Sequence, residues 1–97
     1  MKHYFSINDF REYLDIGHEI EFLFDGDMFF IQPNYINNIS NRNDNNIKFI
    51  LIRCINWHDN DAETIFTGTY DEIISFPLKD KMTIKNNFDM FKLICIL

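Results

Sequence analysis

The stretch His18–Gln32 constrains this chain more than any other, because its side chains alternate in polarity and its midpoint is Asp25-Gly26. Ile20, Phe22 and Phe24 fall on one side, Glu19 and Glu21 on the other, as in a strand with one buried face. Asp-Gly supplies the two positive-φ positions of a two-residue turn, so Asp27–Gln32 is expected to return as the partner strand of a hairpin. Pro33 ends the pair, having no amide hydrogen to give to a ladder.

The neighbouring elements follow from caps and period. Ser6 followed three residues on by Asp9 has the form of a capping box, and Ile7, Phe10, Tyr13 and Leu14 recur at helical spacing. A helix is expected from Ile7 to Ile16, with Gly17 as its left-handed cap. Asn34–Asn46 is asparagine-rich and reads as a loop. Ile47–Trp57 carries apolar residues on both faces, as expected of the middle strand of a sheet covered on both sides.

His58–Glu63 reads as a polar turn and Thr64–Thr67 as a last strand. Thr69 with Glu72 opens a short helix through Ile73 and Ile74 that Pro77 closes. A further helix is expected from about Thr83, turning Ile84, Phe88, Met90 and Phe91 to the core. Leu93–Leu97 is wholly apolar and needs cover, either as a continuation of that helix or as an added edge strand. The expected fold is one α+β domain over residues 1–97: an N-terminal helix, a four-stranded antiparallel meander beginning with the hairpin, and two short C-terminal helices.

Eleven Phe, four Tyr and one Trp in 97 residues supply a core built largely from aromatic rings. Cys54 and Cys95 both sit in apolar runs, where a free cysteine behaves as a small hydrophobe, and nothing points to a disulfide. No apolar stretch has the length of a signal-peptide core or of a bilayer span, so a cytoplasmic protein without membrane contact is expected.

The net charge of −6 is local. Asp9, Glu12, Asp15, Glu19, Glu21, Asp25 and Asp27 stand against the single base Arg11, while the segments on either side nearly balance. This field repels phosphates and attracts basic surfaces, which argues against direct nucleic-acid binding.

Signals for chemistry are weak. His3, His18 and His58 lack ligand spacing, and a surface or turn location explains them better than zinc. Asp59-Asn60-Asp61-Ala62-Glu63 lacks the glycine and bidentate glutamate of a calcium loop. The three glycines serve caps and turns, which leaves none for a phosphate-cradling loop. Glu19 and Glu21 share a strand face at about 7 Å, a spacing imaginable for paired carboxylates but ordinary for a solvated edge strand. Arg53 lies in an apolar strand and must snorkel or pair with an acid. Trp57-His58 is an interface anchor or, more simply, a core tryptophan.

The run Phe10-Arg11-Glu12-Tyr13-Leu14-Asp15-Ile16-Gly17-His18-Glu19-Ile20-Glu21-Phe22, followed by Asp25-Gly26, resembles a family of small uncharacterised proteins of low-G+C Gram-positive bacteria and their phages. In that family a helix ending in Ile-Gly-x-Glu leads into a hairpin. Tyr70-Asp71-Glu72-Ile73-Ile74 and Asp80-Lys81-Met82-Thr83-Ile84 are similar to its two short helices, with Lys81 or Met82 where a glycine is usual. The likeness is densest over residues 10–32 and implies no activity or cofactor.

Size and charge together lead to a non-enzymatic inhibitor with no cofactor and no metal. The expectation is an anti-defence, anti-CRISPR-like protein of a phage or mobile element. Its partner-binding face would be Asp9, Glu12, Asp15, Glu19, Glu21, Asp25 and Asp27, blocking a basic nucleic-acid groove on a protein such as a host nuclease. Ordinary solvation of an exposed face explains the same carboxylates equally well, and the alternative function is an immunity or antitoxin-like protein that neutralises a toxin. The oligomeric state stays open.

Overall fold

A computed structural model describes residues 5–34, 48–56 and 61–97. The first element, α1 (Ile7–Asp15), begins where the capping box places it: the Ser6 hydroxyl accepts from the Asp9 amide, and the Asp9 carboxylate accepts from the Ser6 amide at 2.9 Å. It ends as a Schellman motif, with Gly17 at φ 100°, its amide donating to the Leu14 carbonyl and that of His18 to Tyr13. Nothing lies within 4 Å of where a Cβ at Gly17 would stand, so the glycine is needed for its backbone conformation and not for space.

The hairpin forms as its alternation requires. β1 (Ile20–Phe24) pairs antiparallel with β2 (Asp27–Pro33), and Asp25 (φ 49°) with Gly26 (φ 87°) makes the turn. β3 (Lys48–Asn56) follows on β2, and β4 (Asp61–Thr69) on β3, with register shifts after Leu51 and after Cys54. A second capping box, Thr69 with Glu72, opens the short helix α2 (Tyr70–Ile74). The chain closes with a 3-10 turn at Phe88–Met90 and a last strand, β5 (Phe91–Ile96), antiparallel to β1.

Among the described residues the sheet therefore has five strands in the order β4-β3-β2-β1-β5, where the sequence led to a four-stranded meander. The middle strand is β2, not the 47–57 segment, and β1 is an inner strand rather than an edge. β4 takes in Asp61 to Glu63, assigned above to a turn. The apolar tail adopts the second of its two alternatives, an edge strand.

Among the described residues no second C-terminal α-helix follows α2. The Thr83 hydroxyl instead accepts from the Asn86 amide at 3.1 Å, and the Asn87 side chain accepts from the Thr83 amide at 3.2 Å. Such side-chain bonds offer the backbone an alternative to the helix, and Ile84 is still delivered to the core from this turn. His3, Trp57, His58 and Asp59, and residues 35–47 with nearly all of the segment expected above as a loop, lie outside the described residues.

One face of the sheet holds the core. Ile20, Phe22, Phe24, Phe29, Ile31, Phe49, Leu51 and Phe91 meet Phe10 and Leu14 of α1, Ile73 and Ile74 of α2, and Leu78 and Ile84. The alternate positions Leu23, Met28, Phe30, Ile50, Ile52 and Cys54 point to the other face and are half-buried. Arg53 is on the core face, where it donates to the Leu78 carbonyl at 3.0 Å and lies over the Phe29 ring at 5.5 Å. It pairs with no acid among the described residues, although Glu63 is its register partner on β4.

Candidate protein-binding surface

The seven carboxylates clustered between Asp9 and Asp27 in the sequence do not share one face of the molecule. Asp9 is committed to the α1 capping box. Glu12 and Asp15 are exposed on the last turns of α1, and Asp15 lies 3.6 Å from Arg11. Glu19 follows the Schellman turn, its backbone exchanging both hydrogen bonds with Leu97. Glu21 occupies β1 with its side chain on the half-buried sheet face, away from α1.

Asp25 and Asp27 form a separate group at the hairpin turn. Lys79 bridges them, its Nζ 3.3 Å from the Asp25 carboxylate, 3.8 Å from that of Asp27, and within 3.3 Å of the Asp25 carbonyl oxygen. Bonding to Asp25 first, and the charge of Asp27 with it, raise the Lys79 ammonium above its ordinary pKa. The turn is thereby neutralised in part and clasped to the 75–90 segment.

No family model, curated protein or solved structure matches this chain. What the surface can do must be read from its own residues. Among the described residues no three of His, Cys, Asp and Glu come together as metal ligands, and no helix is long and apolar enough to cross a membrane. Burial, with the Glu21 charge second, raises the Cys54 thiol above its ordinary pKa and so disfavours the nucleophilic thiolate.

The acidic group around α1 gains one member that charge counting along the sequence missed. Asp71 stands in the first turn of α2, whose start lies beside α1 through the contacts of Tyr70 with Ile7 and Arg11, and it raises the Tyr70 hydroxyl pKa as Asp15 does, against Arg11, which lowers it. Tyr70 donates to the Ile7 carbonyl at 3.3 Å, and the Arg11 guanidinium lies 5.0 Å from its ring centre. The signal was available in the second capping box, whose first-turn acids belong at a helix N-terminus.

Burial is the main force that pushes the Tyr70 phenol up to about 12. Its folded pKa exceeds the unfolded value near 10, so the neutral ring's contribution is complete below that pH and disappears as pH rises through the folded value. We expect the unfolding free energy to fall by about 1–2 kcal/mol between pH 10 and 12, a figure reduced for the partial solvation of the ring. Denaturant titrations of Tyr70→Phe should lack most of this decline.

Proposed function

We propose that this domain is a non-enzymatic inhibitor that binds a basic, nucleic-acid-binding groove on another protein through the acidic surface at the C-terminal end of α1. One observation carries the reading: the last turn of α1 holds Asp15, preceded by Glu12, and no basic residue. Carboxylates at that end face the negative pole of the helix dipole and cost stability there, typically 0.3–1 kcal/mol each, depending on exposure and salt. The Arg11–Asp15 pair has its base on the N-terminal side, the weaker orientation, and offsets little of that cost. Charge placed against the interest of the fold is accounted for by a partner that uses it.

Asp71 beside α1 and Glu19 just beyond it would extend the same negative field, whereas Asp25 and Asp27 would contribute less because Lys79 occupies them. A groove lined with Lys and Arg for phosphates is the complementary surface, and a phage or mobile-element protein directed at a host nuclease, in the manner of an anti-CRISPR, fits that chemistry. The immunity or antitoxin-like reading keeps one supporting observation, the apolar exposed strand β5, which suits a partner held by apolar contact.

Capture on the immobilised domain from bacterial lysate at low and at moderate salt separates the two. A nucleic-acid-binding protein retained at low salt and released as salt rises is the expected result. A partner whose retention ignores salt would favour the apolar reading.

A further inference from the structure

Every large apolar side chain that stands exposed among the described residues lies along one margin of the molecule. Met90, Leu93, Ile94 and Leu97 follow β5, and Tyr13 and Ile16 come from the end of α1 beside it. The Tyr13 ring meets His18 edge-on at 5.5 Å, and the His18 Nδ1 is 3.0 Å from the Leu97 carbonyl oxygen. Apolar side chains scattered singly are ordinary, but a set gathered on one margin marks a contact surface. β5 is also the outermost strand, so its outward N–H and C=O groups meet no strand among the described residues. The opposite margin differs: β4 exposes Asp61, Ala62, Glu63 and Thr64 and is broken by two register shifts.

We propose that β5 pairs antiparallel with β5 of a second copy of this chain, making a two-fold dimer with one continuous sheet. The local charges of this edge, Lys92 and Glu21, select both the occupant and the register. Lys92 is the only charged residue of β5, is exposed, and has no ion-pair partner among the described residues. A two-fold axis through Lys92 would set two ammonium groups opposite each other, whereas an axis between Leu93 and Ile94 sets Lys92 opposite Cys95 of the second copy.

Behind Cys95 on the same sheet face stands its register partner Glu21, also without an ion pair among the described residues. Each Lys92 then lies between Glu21 of its own chain, diagonal to it on β1, and Glu21 of the second copy, two strand spacings or about 10 Å away, so the seam gathers two ammonium groups and two carboxylates on one sheet face. Leu93 and Ile94, the latter the extra residue at the β1–β5 register shift, pack across the axis. The helix layers fall on the same side of the joined sheet, which brings Tyr13 and Ile16 of each copy to the seam. A single-strand seam buries less than the ~800 Å² per partner of a standard interface, so the dimer is weak. The net charge of −6 on each copy opposes it, and added salt strengthens it, the reverse of the salt effect on binding through the acidic surface.

Sedimentation equilibrium of the full chain, from about 10 μM to about 1 mM at two salt concentrations, tests this. The expected result is a monomer–dimer equilibrium that shifts to dimer with concentration and with salt. Ile94→Lys should weaken it at least tenfold without changing the melting temperature, and the strand-compatible pair Leu93→Thr with Ile94→Thr should do the same. In a Cys54→Ser background, Lys92→Cys should give a disulfide-linked dimer through the native Cys95 on oxidation, and adding Cys95→Ser should abolish it. Monomer at every concentration, a dimer indifferent to Ile94→Lys, or a ladder of oligomers from head-to-tail β5–β4 contact would each overturn the proposal.

Discussion

Replacing Phe10 by alanine is expected to cost this domain about 3–5 kcal/mol of unfolding free energy. The ring is fully buried and joins four elements: it meets Phe22 of β1 at 6.1 Å, Tyr70 of α2 at 6.0 Å, Phe88 of the 3-10 turn at 6.4 Å and Phe91 of β5 at 5.2 Å. Alanine is the better helix former by roughly half a kcal/mol, which offsets only a small part of the cavity left behind. Domains of this size are stable by about 5–15 kcal/mol, so the variant should give up a large share of its stability at 25 °C. Urea denaturation gives the number, and Phe10→Leu, which keeps most of the volume, should lose less than half as much. A loss below about 1 kcal/mol for Phe10→Ala would mean that α1 is not docked on the sheet as described.

The second large effect concerns binding. Glu12→Lys, Asp15→Lys and Glu19→Lys in one chain should lower affinity for the captured partner by at least a hundredfold, about 2.7 kcal/mol. Stability should not fall with it. Two of the changes place lysine at the C-terminal end of α1, where a cation is favoured by about 0.3–1 kcal/mol, so the melting temperature should stay level or rise. A parallel set at the turn, Asp25→Asn with Asp27→Asn, should affect binding much less, because Lys79 already holds those carboxylates. An equal loss from the two sets would return the turn to the binding surface.

Local rules made the hairpin, α1 and the second capping box legible in the sequence, since each depends on residues within a few positions of one another. The fifth strand was not legible in the same way. Leu93–Ile96 has no period of two, and it becomes a strand only by pairing with β1, whose partner residues are some seventy positions away. The expected third helix rested on Ile84, Phe88, Met90 and Phe91; Ile84, Phe88 and Phe91 do reach the core side while Met90 is exposed, and the chain gets there through Asn86 and Asn87 turn bonds that period counting does not see.

Charge along the chain was a poorer guide to the candidate surface than to its sign. Alternation in β1 sends Glu21 to the face away from α1, a helix cap consumes Asp9, and Lys79, fifty-odd residues on, answers Asp25 and Asp27. What remains around α1 is smaller than the sequence set and gains Asp71 from α2. That the Arg53 guanidinium would end on a backbone carbonyl and an aromatic ring, without an acid, also depends on the 75–84 segment crossing its strand end.

The most direct measurement of the central claim is displacement of the captured partner by nucleic acid. With the domain bound to that protein at low salt, duplex DNA or RNA is titrated in and the freed domain is followed by a fluorescent label. Competition, with the domain released in proportion to the nucleic acid bound, is the result the acidic-surface account predicts. A ternary complex in which the partner holds nucleic acid and the domain together would contradict it.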